Sequence, residues 1–183
     1  MLYISKGILL KEKDGRCSVF RCGEERTLTM GESEIWRKGC GRIAEADCVL
    51  TLADLEDYGL VSSVENDSEE EIYNLLCGCM FLPSRDANAD QPMTAAESIL
   101  YVWLRDAGIR LTTAELICLC ERNVAPEKNL LGESGRQALV AAIYLDGDIN
   151  EFTLESRYAS AECRGWVIPA LLSLVRKKIL YIG

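Results

Sequence analysis

Hydrophobic and polar residues follow a strand-like pattern at the start of the chain and helical periods after it. Apolar side chains dominate residues 2–10 and return at 17–21. Between these runs lies Lys13-Asp14-Gly15-Arg16, whose Asp-Gly pair supplies the positive-φ turn of a β-hairpin. The pattern therefore predicts an N-terminal β-hairpin, with a third short strand through residues 26–28.

Capping boxes mark the predicted helix starts beyond this hairpin. In each box, Ser or Thr is followed three residues later by Glu or Gln, so that the two side chains satisfy two free backbone amides. Each box precedes a stretch with apolar residues at helical spacing, so we expect helices to begin there. The pairs are Thr29–Glu32, Thr94–Glu97, Thr112–Glu115 and Ser134–Gln137.

Most of the second half of the chain is predicted to be helical. The helix after Thr94 ends at Gly108, and a strand over 179–182 closes the chain. In the first half, a helix over 52–58 precedes a strand over 59–65. Residues 72–80 stay open between helix and strand, although Ser68 and Glu71 favour a helix. The remaining helices are predicted over about 112–123, 135–145, 153–161 and 165–177, where Pro169 is tolerable only in the first turn.

These elements predict an α+β fold, mainly α, with an N-terminal β-hairpin followed by helices. Of the 183 residues, 49% are hydrophobic and 27% are charged, which is ordinary for a chain that buries its own core. A stretch rich in Pro, Asp, Asn and Ala interrupts the apolar periodicity near residue 86. We therefore expect two small subdomains, 1–85 and 93–183, joined by a linker over 86–92.

Histidine is absent from the chain, which changes the range of plausible functions. General acid–base catalysis by imidazole, and Ser or Cys nucleophiles activated by it, are excluded. We expect no enzyme, no catalytic residue and no cofactor. Nine cysteines, an odd number placed mostly in apolar runs without a signal peptide, indicate reduced thiols and a cytoplasmic location. Because no apolar stretch reaches about 20 residues, no membrane span is expected.

Two pairs of cysteines could together supply four thiolate ligands to a metal. They are Cys77-Gly78-Cys79 and Cys118-Leu119-Cys120. Structural metal sites more often use Cys-x-x-Cys, and both pairs lie in apolar stretches, so buried thiols and no metal are the favoured interpretation.

Other local patterns have simpler structural explanations. Ser134 in Gly132-Glu133-Ser134-Gly135 lacks the second glycine of a nucleophile elbow, and an N-cap role is favoured. The oxygen ligands of a calcium loop at Asp146, Asp148 and Asn150 lack the required glycine, which favours a turn. Three tryptophans could form a binding platform, but their helical spacing favours core positions. They are Trp36, Trp103 and Trp166.

Charge is distributed unevenly along the chain. The formal net charge is −9, which argues against a protein built to coat nucleic acid. Residues 156–183 differ, because five Lys and Arg face one Glu and give a local net charge of +4. This basic end leaves room for contact with nucleic acid or with an acidic protein.

The order of the elements resembles two families. Residues 137–183 are similar to a winged helix-turn-helix domain in their predicted order of helix, turn, helix, turn, helix and strand. Residues 29–65 resemble a partial second copy. That resemblance implies a third helix in the DNA major groove. Here its middle is apolar and its cations lie at the ends, so DNA reading is disfavoured. The contacts it implies are Arg164, Arg176, Lys177 and Lys178.

A fainter resemblance concerns the N-terminus. Three short strands followed by helices look like the small PqqD-like modules that bind leader peptides on a strand edge. That likeness implies capture of an extended peptide by an exposed strand.

Two functions follow from the sequence. The first is a non-enzymatic intracellular regulatory or adaptor protein with winged-helix-like modules, acting through protein or peptide contacts. The alternative is a DNA-binding transcription regulator that uses the basic C-terminal helix. A homo-oligomer is compatible with either function.

Overall fold

The structure is a computed structural model that describes residues 1–46, 48–77, 79–84, 91–106, 111–124, 140–141, 143–144, 154 and 162–183. The described part of the chain combines six helices with eight strands in small sheets, which makes it an α+β protein. The strands are β1 (Leu2–Ser5), β2 (Ile8–Lys13), β3 (Arg16–Arg21), β4 (Glu24–Thr27), β5 (Ala44–Glu45), β6 (Val61–Val64), β7 (Phe81–Pro83) and β8 (Leu180–Ile182). The helices are α1 (Met30–Lys38), α2 (Val49–Asp57), α3 (Glu69–Cys77), α4 (Ala95–Asp106), α5 (Thr113–Glu121) and α6 (Arg164–Arg176).

The chain divides into two compact units. The first contains Met1–Leu75 together with Tyr181–Gly183, and the second contains Leu76–Leu180. The predicted subdomains, 1–85 and 93–183 with a linker over 86–92, stay a prediction, and the last three residues of the chain belong to the first unit. There the Gly7 amide donates to the Ile182 carbonyl. A sequence-local signal such as a proline-containing linker cannot reveal that contact.

The predicted hairpin is confirmed, and its turn is left-handed as the sequence requires. Asp14 and Gly15 have φ of 50° and 76°, and β2 pairs with β3 in antiparallel register from Ile8↔Phe20 to Lys13↔Arg16. The register shifts between Leu9 and Lys11, which leaves one extra residue in β2, a β-bulge. The third strand, β4, pairs antiparallel with β3.

Residues 2–10 were expected to form one strand, and this prediction is wrong. The run divides at Gly7, which has φ of +98°. A Cβ at that position would lie 2.7 Å from Cγ1 of Val19, so a side chain is excluded by contact as well as by conformation. β1 before Gly7 joins a separate antiparallel sheet between β5 and β6.

The end of α1 lies directly on β1. The Ser5 amide donates to the Gly39 carbonyl at 3.0 Å, and the Tyr3 hydroxyl donates to the Ile35 carbonyl at 2.9 Å. A Cβ at Gly39 would lie 2.5 Å from Ser5 Oγ and 2.6 Å from Cε2 of Tyr3. Helix and strand therefore approach each other more closely than any side chain at residue 39 would allow.

The core of the first unit lies between its sheets and the helices α1 and α2. The buried Trp36 indole donates to the Lys6 carbonyl at 2.9 Å, so its polar atom is satisfied. At the far end of α2, the Arg26 guanidinium stacks over the Tyr58 ring at 3.7 Å. The buried side chains that form this core are Tyr3, Cys17, Val19, Leu28, Trp36, Ala44, Leu52, Leu55, Leu60 and Val61.

Three of the predicted capping boxes are confirmed. Both reciprocal hydrogen bonds are present at Thr29–Glu32, at Thr94–Glu97 and at Thr112–Glu115. The fourth box, Ser134–Gln137, lies outside the described residues. So do almost all of the helices predicted over 135–145 and 153–161, together with the helix stop at Gly108.

The open choice over residues 72–80 resolves mainly as helix. α3 continues to Cys77, and its start receives the expected bond from the Glu71 amide to Ser68 Oγ at 3.2 Å. The end of the segment is strand-like, since Met80 forms an isolated bridge with Thr112 and β7 begins at Phe81.

In the second unit, α6 packs against α4 and α5. The expectation that Pro169 is tolerable only in the first turn is wrong, because α6 begins at Arg164 and includes Pro169 as its sixth residue. Proline there removes one helical hydrogen bond, to the carbonyl of Gly165. Gly165 is exposed, so water can reach that carbonyl, while the apolar face of α6 remains buried.

Candidate functional site

The four cations predicted to bind nucleic acid lie at the two ends of α6. Arg164 opens the helix and Arg176 closes it, and Lys177 and Lys178 follow directly. Arg176 and Lys178 are exposed, whereas Arg164 and Lys177 are half-buried. Arg164 is separated from the other three by the length of the helix, about 18 Å for 12 residues at 1.5 Å per residue.

Lys177 is held by its own chain. Its ammonium lies 2.8 and 2.9 Å from the two carboxylate oxygens of Glu97 and donates to the Pro92 carbonyl at 3.0 Å. Glu97 is only 3% exposed and also accepts the Thr94 amide of the capping box at 2.7 Å. This ion pair fixes the start of α4 against the end of α6, so Lys177 serves packing of the second unit.

The ionisation of Glu97 reflects the same contacts. Burial alone would raise the pKa of this carboxyl, but hydrogen bonds from Lys177, Ser173 and the Thr94 amide outweigh it and lower the pKa to about 2. Glu97 is therefore ionised at neutral pH, and its charge is matched by Lys177.

The middle of α6 is apolar and buried, which disfavours recognition of a DNA groove by this helix. Its buried residues lie against α4 and α5, so this face is not available to a DNA groove. A groove-reading helix presents polar side chains to base edges, and the buried part of α6 has none. Those buried residues are Val167, Ala170, Leu171, Leu174 and Val175.

The cysteine pairs occupy core positions. Cys77, Cys79 and Cys118 are buried, and Cys120 is half-buried with a pKa raised to about 12, mainly by burial. Among the described residues, no group of three or more His, Cys, Asp or Glu side chains could hold a metal ion. Cys17 is also buried, whereas Cys22, Cys40 and Cys48 are exposed and Cys163 is half-buried.

Two of the three tryptophans are core residues. Trp36 and Trp103 are buried, and Trp166 is half-buried in the first turn of α6. The motifs at Gly132-Glu133-Ser134-Gly135 and at Asp146, Asp148 and Asn150 lie outside the described residues.

The outer strand β2 of the first unit exposes apolar side chains. In the sheet order β2-β3-β4, β2 lies at the edge, and among the described residues its backbone pairs with β3 only. Its side chains are exposed after Ile8, including Leu9 at 43% and Leu10 at 51% exposure. Phe20, the partner of Ile8 on β3, is also exposed. We call Ile8–Lys13 the β2 edge.

The register assigns the side chains near the β2 edge to two faces. Val19 and Cys17 on β3 are buried, so their partners Leu9 and Glu12 lie on the inner face of the sheet. Glu12 accepts a hydrogen bond from Arg37 of α1 on that side. The outer face carries Ile8 beside Phe20, Lys11 beside Ser18 and Lys13 beside Arg16.

Charges on the outer face are only partly balanced. The Lys11 ammonium lies 3.3 Å from Glu25, and the Ser18 hydroxyl donates to the same carboxylate. These contacts, the Ser18 hydrogen bond first, lower the pKa of Glu25. Lys13 and Arg16 are different, because two like charges lie directly opposite each other across the ladder.

The predicted capture of a peptide by an exposed strand edge stays a prediction, and the sequence did not show which strand lies at an edge. The local signal is the apolar run Ile8-Leu9-Leu10 followed directly by Lys11-Glu12-Lys13. A strand buried on one face alternates apolar and polar residues, and this run does not alternate. The sheet order decides that β2 is an edge, and that order depends on contacts the sequence pattern does not contain.

Comparisons with known proteins do not add a function. No protein-family model matches the chain, and no curated protein or solved structure matches it. Among the described residues, no helix has the length and apolar character needed to cross a membrane.

Proposed function

We propose that this chain is a non-enzymatic regulatory or adaptor protein that acts through protein or peptide contacts, and that the β2 edge is its binding surface. One observation carries the proposal: an edge strand whose apolar side chains Leu9 and Leu10 are exposed. Soluble proteins usually protect such strands with charges, bulges, proline or a covering element. β2 has a bulge at Leu10 and charges from Lys11 to Lys13, and Leu9 and Leu10 remain exposed beside them. An exposed apolar edge instead offers unpaired backbone groups to a partner.

The mode of binding follows from the backbone. An extended segment placed beside β2 would add a fourth strand to the sheet β2-β3-β4, with main-chain hydrogen bonds giving affinity. Side chains at alternate positions would then give specificity. The bulge at Leu10 limits the register in which such a segment can pair, because one residue of β2 has no partner on β3.

The winged-helix likeness is part of the same proposal. In the first unit, α1, β5, α2 and β6 follow one another, and β1 lies between the two strands. This order supports a winged-helix-like module used for protein contact. An odd number of cysteines, nine, placed mostly in apolar runs supports a reducing, cytoplasmic setting. The lack of histidine in the chain supports a function without catalysis or cofactor.

A selection from a peptide library tests this function. Phage displaying random peptides would be selected on the full chain, on Leu10→Lys and on Leu50→Lys. The last is a matched control, because Leu50 is 81% exposed on α2 in the same unit. We expect the wild type and Leu50→Lys to enrich the same peptides and Leu10→Lys to enrich none. Failure of the wild type to enrich any peptide would contradict the proposal.

DNA binding stays a second candidate, supported by the exposure of Arg176 and Lys178 beside each other. Fluorescence anisotropy with sheared DNA tests it. Binding by the described cations should weaken steeply with salt and should be lost in Arg176→Ala/Lys178→Ala. We expect no binding at low salt, because the net charge is −9 and Lys177 is held by Glu97.

A further inference from the structure

We infer that the β2 edge selects an extended peptide of one chemical class. This peptide has acidic residues at the two positions beside Lys13 and Lys11, and apolar residues at the two positions beside Leu9 and Ile8. The inference rests on the proposed function and adds the chemistry of the ligand. Three observations carry it: the two-faced register of the hairpin, the apolar start of β2 and the cations at its end.

The apolar part of the ligand is set by the first half of β2. Ile8 and Phe20 lie side by side on the outer face, and Leu9 protrudes from the inner face beside Val19. An added strand would place consecutive residues against Ile8 and Leu9, one on each face. Apolar residues at both positions would cover side chains that water now contacts.

The acidic part is set by the second half. Lys11 and Lys13 share the outer face, and Arg16 lies opposite Lys13. The acidic side chains near these cations are already committed in part, since Glu12 bonds Arg37 and Glu25 bonds Lys11 and Ser18. Within residues 11–16, the cations Lys11, Lys13 and Arg16 outnumber the acids Glu12 and Asp14.

This local excess of positive charge is unusual for the chain. The molecule as a whole carries −9, so its net charge disfavours an acidic ligand, which needs a local excess of cations to bind. A carboxylate beside Lys13 would also relieve the repulsion between Lys13 and Arg16. Charge complementarity therefore favours acid over base in the two ligand positions that lie beside Lys11 and Lys13.

A second copy of the chain fits the β2 edge less well. Antiparallel pairing about a two-fold axis at Leu10 would place Lys11 beside Leu9 of the other copy, which matches charge with an apolar side chain. It would also bring together two molecules of charge −9. A second β2 has one acid between two lysines, whereas a peptide of a different protein can place carboxylates beside both Lys11 and Lys13.

Two labelled peptides test the inference on the full chain. The first reads Asp-Thr-Asp-Val-Val, flanked by serines, which puts its acids beside Lys13 and Lys11 and its valines beside Leu9 and Ile8 in antiparallel pairing, with Leu10 unpaired as it is against β3. Its twin has lysines in place of both aspartates. By anisotropy, we expect the wild type to bind the acidic peptide about five- to tenfold more tightly, as expected for two or three opposite-charge pairs across a ladder.

Variants separate the possible results. The double variant Lys13→Glu/Arg16→Glu should prefer the lysine peptide, and Arg176→Glu, an exposed cation outside the first unit, should behave as wild type. Leu10→Lys should lose both peptides, because a lysine in the apolar part of an edge strand opposes pairing with another strand. Equal affinity of the wild type for the two peptides would overturn the acidic preference and leave edge capture standing.

Two further results would also overturn the inference. Binding that survives Leu10→Lys would place the peptide elsewhere. A dimer seen in sedimentation that Leu10→Lys dissociates would make a second copy the occupant of the β2 edge. The library selection decides separately whether edge capture itself holds.

Discussion

Single residues determine where elements of the first unit can approach one another. Gly39 is in contact with Tyr3 and Ser5, and Gly7 combines a positive φ with a close approach to Val19. Neither role can be derived from local sequence, since a glycine after a helix and a glycine between two apolar runs both occur in many turns. The contacts that demand the glycine come from residues distant in the chain.

Replacing Gly39 by Ala should destabilise the protein. The added Cβ would meet Ser5 Oγ at 2.5 Å and Tyr3 Cε2 at 2.6 Å, and overpacking of this kind costs about 1–3 kcal/mol. Gly31→Ala, in the first turn of the same helix, is the matched control, because no atom lies within 4 Å of its added Cβ. Denaturant unfolding should show a loss for Gly39→Ala and none for Gly31→Ala. Equal stability of the two variants would contradict the close contact.

The cysteines should differ strongly in reactivity. Cys48 is exposed, and hydrogen bonds from Thr51, its side chain first, lower the pKa of the Cys48 thiol. Burial raises the pKa of Cys120 to about 12. At pH 8, iodoacetamide should modify Cys48 rapidly in the folded protein and leave Cys120 unmodified, as measured by peptide mass mapping. Thr51→Val should slow the reaction at Cys48, and an unchanged rate would disprove the role of Thr51.

At the scale of elements, the sequence pattern is most informative where the signal is local. The capping boxes at Thr29, Thr94 and Thr112 begin helices as predicted, because both partners of each box lie within four residues. Lys177 shows the opposite case. Its partner Glu97 lies 80 residues away in the sequence. The local pattern therefore predicts that Lys177 can contact phosphate, whereas in the structure it is paired with Glu97.

The ion pair of Glu97 and Lys177 should make stability depend on acid pH. The folded-state pKa of Glu97, about 2, lies below its ordinary value of 4.5, so its contribution is full above pH 4.5 and is lost as the pH falls towards 2. We expect the free energy of unfolding to fall more steeply over this range in the wild type than in Glu97→Gln. Parallel pH profiles for the two proteins would refute a depressed pKa.

Removal of the cation tests the same contact at neutral pH. Lys177→Met leaves Glu97 ionised and buried without its partner, a change that costs roughly 3–5 kcal/mol in buried pairs. Lys178→Met, at the exposed neighbouring position, should change stability by less than about 0.5 kcal/mol. Thermal and urea unfolding of both variants measure the difference. A Lys177→Met protein as stable as Lys178→Met would show that the pair contributes little.

At the scale of the whole molecule, the α+β class and most described elements could be predicted from periodicity and turn chemistry. The N-terminal hairpin needs only Asp14 and Gly15 between two apolar runs. Two further features needed information the pattern does not contain. Sheet order decides that β2 is the outer strand, and a long-range backbone bond from Gly7 brings the C-terminal residues into the first unit.

The candidate site illustrates the same limit. Composition alone excludes catalysis by imidazole, because the chain has no histidine. A candidate binding surface can be located only when the solvent exposure of its side chains is known. From the sequence, Leu9 and Leu10 are expected to be core residues, but in the structure both are exposed. Exposed apolar side chains on an edge strand are therefore the feature on which the account of function depends.

Backbone hydrogen exchange of the full chain, with and without the acidic peptide, tests the central claim most directly. Edge amides of Ile8–Lys13 that do not bond to β3 should exchange fast in the free protein and become protected when a peptide strand pairs with them. We expect new protection at the β2 edge in the wild type and none in Leu10→Lys. Protection that appears only in another element, or unchanged exchange at saturating peptide, would contradict edge-strand binding.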